Sequence, residues 1–398
     1  MTRRAFGARG RPDPVYRFDV FADSAAGGDV QQAHMDLHHK APDIFYTPCN
    51  GGHWMATRFE HVRTIMTSPH IFSSRATNFP PQPPFLSLSL PPQDMDAPEH
   101  GAHRLLLMGF LGPKEVRALE AHIRLMMGEL IDTVLARGKA QFVGDIAAPL
   151  PVRTFMHMMR WDPSGWPRLV RWANAILASD TVWIRLPAYV RMQGYLKRQI
   201  RLRRAHPGDD PVSTLLASQI DGRPVSDQRV LEMCNLLFLA GLDTVTNAMT
   251  FIAKHLAEAP QIQQRLRADP AQIPGAIEEM LRRYAFVNTA RRVTQDIEIG
   301  GVMLRKGDTI VASLAAASND PRETPEPAKL DLDRGRASHL AFNTGPHSCP
   351  GASLARMELR IFLEEWLARV PPFSIAPSYK PKARGGPVMA LESLPLVW

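Results

Sequence analysis

The segment Phe342-Asn343-Thr344-Gly345-Pro346-His347-Ser348-Cys349-Pro350-Gly351 stands directly before a run, 352–369, that reads as the last helix of the chain. Cysteine binds metal as the thiolate, which must be stabilised against a free-thiol pKa of about 8.5. A helix beginning near Gly351 offers that sulfur backbone N–H groups and a partial positive charge. Gly345 allows a tight turn, while Gly351 lets the backbone approach a flat group closely. Phe342 is suited to shield the sulfur, and His347 to reach an anion at the edge of such a group. A lone cysteine at a loop–helix junction is usually a small buried hydrophobe. Five positions in one frame, F-x-x-G-x-H-x-C-x-G, outweigh that reading.

Upstream, 226–258 is the longest run with apolar residues at helical spacing. Ser226 suits its N-cap, and Pro260 closes the other end. Its middle reads Ala240-Gly241-Leu242-Asp243-Thr244. Gly, Asp and Thr are poor helix formers, and such a conflict inside an apolar helix tends to mark a functional site. A short helix after Pro274 places Glu279 and Arg282 on one face; alone, such a pair is an ordinary surface ion pair worth little. His100 and Arg104 lie one turn apart, which alone describes an exposed polar face. Further helical spacing covers 116–137 and 187–204. Residues 291–313 alternate like small strands, with turns at Gly300-Gly301 and Lys306-Gly307, and 371–398 reads as short strands. The pattern has no βαβ rhythm, so the expected class is mainly α with minor β.

A chain of 398 residues can bury a large core, and its 35 prolines are roughly twice the usual share. Those at 80–98 and 321–327 read as long ordered loops. Three cysteines, Cys49, Cys234 and Cys349, exclude a disulfide framework, and no CxxC pair suggests structural zinc. A reducing cytoplasm fits. No uninterrupted apolar run reaches the roughly 18 residues that a membrane span needs; the best stretch, 236–253, contains Asp243, Thr244 and Asn247. Residues 1–20 read as a flexible basic arm ahead of a single domain, 21–398. The net charge of +8 permits nucleic acid, an anionic membrane surface or an acidic protein partner. No nucleic-acid motif is present, and neither nucleic acid nor a membrane is the expected partner.

Together these positions resemble the cytochrome P450 family, the cysteine segment matching its haem-binding loop. Cys49-Asn50-Gly51-Gly52-His53-Trp54, Gly241-Leu242-Asp243-Thr244-Val245 and Leu394-Pro395-Leu396-Val397-Trp398 narrow the resemblance to the bacterial camphor-hydroxylase subfamily, over nearly the whole chain. The resemblance implies a trigonal-prism fold with haem b between the long helix and the last one. It makes Cys349 the axial ligand to the haem iron, within a loop that includes Phe342 and Gly351. A thiolate ligand pushes electron density toward bound dioxygen and favours O–O cleavage. His100, Arg104, Arg291 and His347 would meet the propionates. Glu279 and Arg282, with Arg334, would form a structural triad that holds the cysteine loop. Gly241 would open space for dioxygen, Thr244 would hydrogen-bond it, and Asp243 would relay protons.

The family's pocket positions fall on Phe79, Leu88, Leu236, Leu239, Ala240, Val287, Thr289 and Val388, with Asn78, Ser87 and Ser89 as nearby polar candidates. Where the camphor enzymes carry a tyrosine for the substrate ketone, this chain has Leu88. No tyrosine occurs between Tyr46 and Tyr189. A terpenoid or norisoprenoid less polar than camphor is therefore the expected substrate. Electrons would come from NADH through a flavin reductase and a [2Fe–2S] ferredoxin, docking at Arg63, Arg104 and Arg336. The expected enzyme is a cytoplasmic monomer using O2. A haem-thiolate peroxygenase or isomerase is the rival within this chemistry, and Asp243-Thr244 argues against it. A non-catalytic haem sensor would need no apolar pocket.

Overall fold

Ser226 starts the helix that organises the molecule. Its hydroxyl accepts the Arg229 N–H at 3.2 Å, and the helix runs from Asp227 to Glu258. The computed structural model describes residues 13–75, 79–80, 88–177, 181–335 and 338–398. In chain order, the helices that build the site are α1 (Glu99–Leu111), α2 (Pro113–Leu135), α3 (Pro149–Met158), α4 (Trp166–Leu177), α5 (Val182–Ala205), α6 (Asp227–Glu258), α7 (Ile273–Arg283) and α8 (Ala352–Arg369). At 1.5 Å per residue, α6 is roughly 48 Å long.

Two apolar cores meet along α6. Its first half, with Val230, Leu231, Phe238 and Leu242, packs in one core with Phe155 of α3, Leu169 of α4 and Met192 of α5. Its second half, with Val245, Met249, Ile252 and Leu256, packs with Ile123 of α2, Ile277 of α7 and Phe362 of α8. The join falls at Asp243 and Thr244. By length and composition α6 could cross a membrane, yet 67% of its apolar window is buried inside the protein. It is a core helix.

A sheet flanks this body. Its strands β1 (Ile44–Thr47), β2 (His53–Ala56), β3 (Phe72–Ser73), β4 (Asn288–Val293) and β5 (Thr309–Ser313) lie in the order β1-β2-β5-β4-β3. Only β2 and β5 run parallel within it. In β4, Arg291 stands opposite Ile310, and Thr289 opposite Ala312. A hairpin of β6 (Ala383–Arg384) and β7 (Ala390–Leu391) lies near the C-terminus. The class is mainly α with minor β, as the sequence patterns indicate.

Two expected boundaries need correction. A flexible arm over 1–20 is too long, because Tyr16 N–H donates to Tyr46 O at 2.9 Å and Tyr46 N–H to Pro14 O at 2.8 Å. Phe18 and Val20 are buried, so this stretch is part of the fold; residues 1–12 lie outside the described residues. The helix expected from Pro187 begins five residues earlier, at Val182, with Ile184 and Arg185 both bonded to Thr181 O. Proline favours a first helical turn, which made Pro187 read as the start. Here it stands in the second turn, leaving one backbone carbonyl without its usual donor.

Candidate functional site

The cysteine loop is tied by its own backbone before any side chain contributes. Asn343 N–H donates to Leu340 O at 2.7 Å, Ser348 to Gly345 O at 3.0 Å and Cys349 to Phe342 O at 2.8 Å. Gly345 has φ +72°, and a Cβ there would stand 2.5 Å from the Met66 carbonyl. No other residue fits that turn. Cys349 remains accessible, yet its sulfur sits deep enough that burial pushes the thiol pKa up. The Gly351 N–H, Arg104 and Arg356 pull it back down. The N-terminus of α8, which begins at Ala352, thus confronts the sulfur with donors and positive charge.

A second group gathers beside this loop. The rings of His100 and His347 lie 4.1 Å apart, and His347 Nε2 meets Ser74 Oγ at 3.1 Å. Burial, then Arg291 and His100, drive the His347 pKa down to about 3. Burial also lowers Arg291 to about 10, against only a weak pull from Asp96. Arg104 reaches Ser348 Oγ at 3.2 Å. Four cationic or protonatable side chains therefore converge where Asp96 is the one acid that acts on the histidines and Arg291. Such an uncompensated concentration of donors suits a ligand carrying carboxylates.

Behind the loop, Glu279 and Arg282 form a bidentate pair, 2.8 Å on each arm, with both side chains buried. Arg334 Nε adds a third bond to Glu279 at 3.1 Å, and Asp331 N–H a fourth. Arg282 also donates to Asn319 Oδ1 at 3.0 Å, Pro327 O at 2.9 Å and Lys329 O at 3.1 Å. Burial raises the Glu279 pKa, but these hydrogen bonds win and hold it below its ordinary value. The pair fastens α7 to the segment that leads into the cysteine loop.

A neighbouring clamp escaped the sequence reading. Arg356 forks onto Glu278 at 2.7 and 2.9 Å, and its guanidinium lies 4.5 Å from the Phe342 ring centre. Although burial pushes Glu278 up, Arg356 and His339 bring it to about 2. The available signal was position: Arg356 lies seven residues after Cys349, in the first turns of α8.

The middle of α6 carries a third feature. Between Gln228 and Glu258 only Ala240 and Gly241 are exposed, and a Cβ on Gly241 would meet nothing within 4 Å. An opening therefore interrupts an otherwise enclosed helix at the seam of the two cores. Thr244 Oγ1 donates to the Ala240 carbonyl at 2.8 Å, turning the hydroxyl along that opening. Burial raises the Asp243 pKa, and Arg384 opposes the rise with an Nη2–Oδ2 distance of 3.4 Å. Arg384 belongs to β6, and nothing in the sequence announced it.

The expected pocket residues divide. Leu236 and Leu239 are buried in one core, and Leu88 packs half-buried against it. Val287 and Val388 form a β-bridge. Thr289 lies on β4. The Phe79 ring stands edge-on to His53 at 4.6 Å, packed against the cluster of Phe18, Val20, Leu37, Phe45 and Met55. Ser89 is exposed, while Asn78 and Ser87 lie outside the described residues. Of the basic residues expected to dock a partner, Arg63 is exposed, Arg104 is half-buried against Ser348, and Arg336 lies outside the described residues.

The donor set fits haem: an accessible cysteine at a helix N-terminus, convergent cations for two carboxylates, and an opening in the middle of α6. The comparisons agree. A family model described as Cytochrome P450 matches residues 190–378. Probable cytochrome P450 127A1 of Sinorhizobium fredii is 34% identical over 398 residues, covering 97% of this chain and 95% of that protein. Steroid C26-monooxygenase of Mycobacterium tuberculosis is 33% identical over 353 residues, covering 86% of this chain and 94% of the other. The crystal structure of CYP101J2 matches with a TM-score of 0.89 at 32% identity, over 98% of this chain and 100% of that one. That of cytochrome P450 CYP101C1 matches with a TM-score of 0.89 at 34% identity, over 97% and 98%.

Proposed function

This chain belongs to the cytochrome P450 family, and from that premise we propose that it hydroxylates a small apolar terpenoid or norisoprenoid. It is a haem-dependent monooxygenase. The two electrons would come from NADH through a reductase and a [2Fe–2S] ferredoxin, with Arg63, which is exposed, and Arg104 and Arg336 as the basic residues that would dock it. A monomer in the cytoplasm fits this reading.

The observation that carries it is Cys349, accessible at the start of α8 while Ala240 and Gly241 open the middle of α6. We assign Cys349 as the iron ligand. Once bound, haem supplies the redox centre at which dioxygen is reduced and split. The chain's own groups do the rest. The Gly351 N–H and the guanidinium groups of Arg104 and Arg356 favour the thiolate. His100, Arg291, His347 and Arg104 take the propionates. Thr244 holds a proton at Oγ1 beside the opening, and Asp243, whose pKa burial raises, resupplies it while Arg384 fixes its orientation. Two protons and two electrons turn one oxygen atom into water, and the other enters the substrate C–H bond. The Asp243–Thr244 pair favours this chemistry over a peroxygenase, which brings its own protons with peroxide.

The pocket reading rests on apolar Leu88, Leu236, Leu239, Val287 and Val388. Burial of apolar area, at roughly 25 cal/mol per Å², supplies most affinity at such a site. It discriminates weakly between hydrocarbon isosteres. The test is the absorption spectrum of the dithionite-reduced, CO-bound protein. The wild type should show the strongly red-shifted Soret band of thiolate ligation, and Cys349→His should lose both band and turnover. Retention of the band would transfer the ligand role to Cys49 or Cys234.

A further inference from the structure

The described residues include ten large apolar side chains that are exposed, and six of them lie on α5: Val182, Trp183, Ile184, Leu186, Val190 and Leu202. Trp183 is 84% exposed. These are not misplaced core residues, because α5 already has a complete inward stripe. Ala188, Met192, Leu196 and Ile200, four apart, are buried against α4 and the first half of α6. The outward residues sort along the helix axis. Apart from Leu202, the apolar ones crowd the first turns, and Arg191, Lys197, Arg198, Arg201 and Arg204 are exposed along the remainder.

Charge follows the same division. Residues 166–205 hold nine Lys and Arg and a single acid, Asp180. That surplus equals the formal net charge of the entire chain, +8. The remaining sequence is therefore balanced, and the α4–α5 unit carries the imbalance. Arg204 is paired with Asp227 and Arg203 with Asp210, while α5 itself contains no acid at all.

We propose that α5 docks the protein peripherally on an anionic phospholipid surface, its apolar first turns immersed and its basic length along the headgroups. The arrangement of the tip favours lipid over a protein partner. At 100° per residue, Val182, Trp183, Ile184 and Leu186 sweep about 200° of the helix circumference. A protein groove recognises one stripe of a helix, at i, i+3, i+4 and i+7. A tip that is apolar on several sides suits a fluid that closes around it. Tryptophan prefers the membrane–water interface, where its ring meets acyl chains and its N–H meets water. Arginine and lysine behind it lie within reach of phosphate. No part of the chain has to span a bilayer, and the expectation of no membrane partner is revised for this surface alone. The inference deepens the proposed function, since an apolar substrate concentrates in lipid and α5 packs on the half of α6 that carries Leu236 and Leu239.

The test uses the full-length haem-loaded protein with vesicles of phosphatidylcholine alone and of phosphatidylcholine mixed with phosphatidylglycerol. Co-sedimentation is expected with the mixed vesicles, weakening as salt rises, and not with phosphatidylcholine. The double variant Trp183→Ser/Val190→Ser should lower binding roughly tenfold or more, and Arg191→Glu/Arg198→Glu should abolish its salt dependence. Leu105→Ser, which removes a 73% exposed apolar residue of α1, should change nothing. All variants should keep the CO-bound spectrum, so a failure of the haem-thiolate reading would register there and not in sedimentation. Equal sedimentation of wild type and Trp183→Ser/Val190→Ser would overturn the proposal. So would a concentration-dependent dimer that Trp183→Ser dissolves, since the patch would then face a second copy of this chain. Absence of binding to both vesicles would overturn it as well.

Discussion

The two sides of α6 are built on different principles. On the cysteine side, position is enforced by charge: Glu279 accepts from Arg282, Arg334 and the Asp331 N–H, and Glu278 from Arg356 and His339. On the side of the proposed pocket, Leu88, Leu236, Leu239, Val287 and Val388 would impose shape without a fixed donor among them. Hydrogen bonds to buried charges are specific and costly to break. Apolar contacts are numerous and tolerate exchange of similar volumes. One side fixes the chemistry, and the other leaves the substrate open to change. Substitutions on the two sides should therefore differ sharply in effect.

The largest effect belongs to Arg282. Removing it leaves Glu279 buried with only Arg334 and the Asp331 N–H as donors. Breaking one partner of a buried pair costs about 3–5 kcal/mol, so Arg282→Ala should reduce the unfolding free energy by that amount and lower haem content. Denaturant unfolding and the haem-to-protein absorbance ratio measure both. A variant of native stability would show that the fork is dispensable and erase the contrast between the sides.

Thr244 and Asp243 stand at the seam between the two cores, where loss should spare stability and damage chemistry. Thr244→Ala removes the hydroxyl bonded to Ala240 O. It should leave substrate binding nearly unchanged while diverting reducing equivalents into peroxide or water, cutting coupling on the order of tenfold or more. Asp243→Asn should mainly slow turnover. The ratio of product formed to NADH consumed distinguishes them, and unchanged coupling in Thr244→Ala would remove its proton role.

The same contrast explains what the sequence made legible. The cysteine loop depends on residue types with few substitutes: a thiolate, a glycine at φ +72°, and a carboxylate and guanidinium one turn apart. Their spacing is local, so it survives in the linear chain. Arg356 with Glu278 and Arg384 with Asp243 join residues 78 and 141 positions apart. No local pattern encodes those pairings. The contact of Phe79 with His53 was illegible for a related reason, since an aromatic residue after a loop has several apolar destinations. The early start of α5 was hidden by Pro187, which normally opens a helix.

Glu358 offers a subtler test of how the cysteine side is held. It lies within α8, and burial pushes its pKa up to about 8 with only the Thr154 hydroxyl pulling the other way. A carboxyl whose folded pKa exceeds its unfolded value binds more protons when folded. Stability should therefore fall as pH rises from about 4.5 to about 8, by ~1.4 kcal/mol for each pH step within that window. Glu358→Gln keeps the shape without the charge, so it should raise Tm at about pH 8 and leave it nearly unchanged at about pH 5. Parallel Tm profiles for variant and wild type would show that the carboxyl is ionised and paired.

The smallest effect is expected from adding a polar group to the pocket side. Leu88 packs half-buried against the core that holds Leu236 and Leu239, and in the proposed pocket it takes the place of the phenol that the resemblance to camphor hydroxylases leads one to expect. In the wild type, camphor has no fixed donor for its ketone and should give only a partial low-to-high-spin shift. Leu88→Tyr supplies such a donor, and one neutral hydrogen bond contributes about 0.5–1.5 kcal/mol. Camphor should then bind a few-fold to tenfold more tightly, with a more complete spin shift, while an ionone-like hydrocarbon ketone gains little because its fit rests on apolar area. A spectral titration of both ligands against both proteins reads the difference directly. If the wild type already gives a complete shift with camphor and Leu88→Tyr adds nothing, a polar anchor exists elsewhere in the pocket, and the apolar side is as specific as the cysteine side.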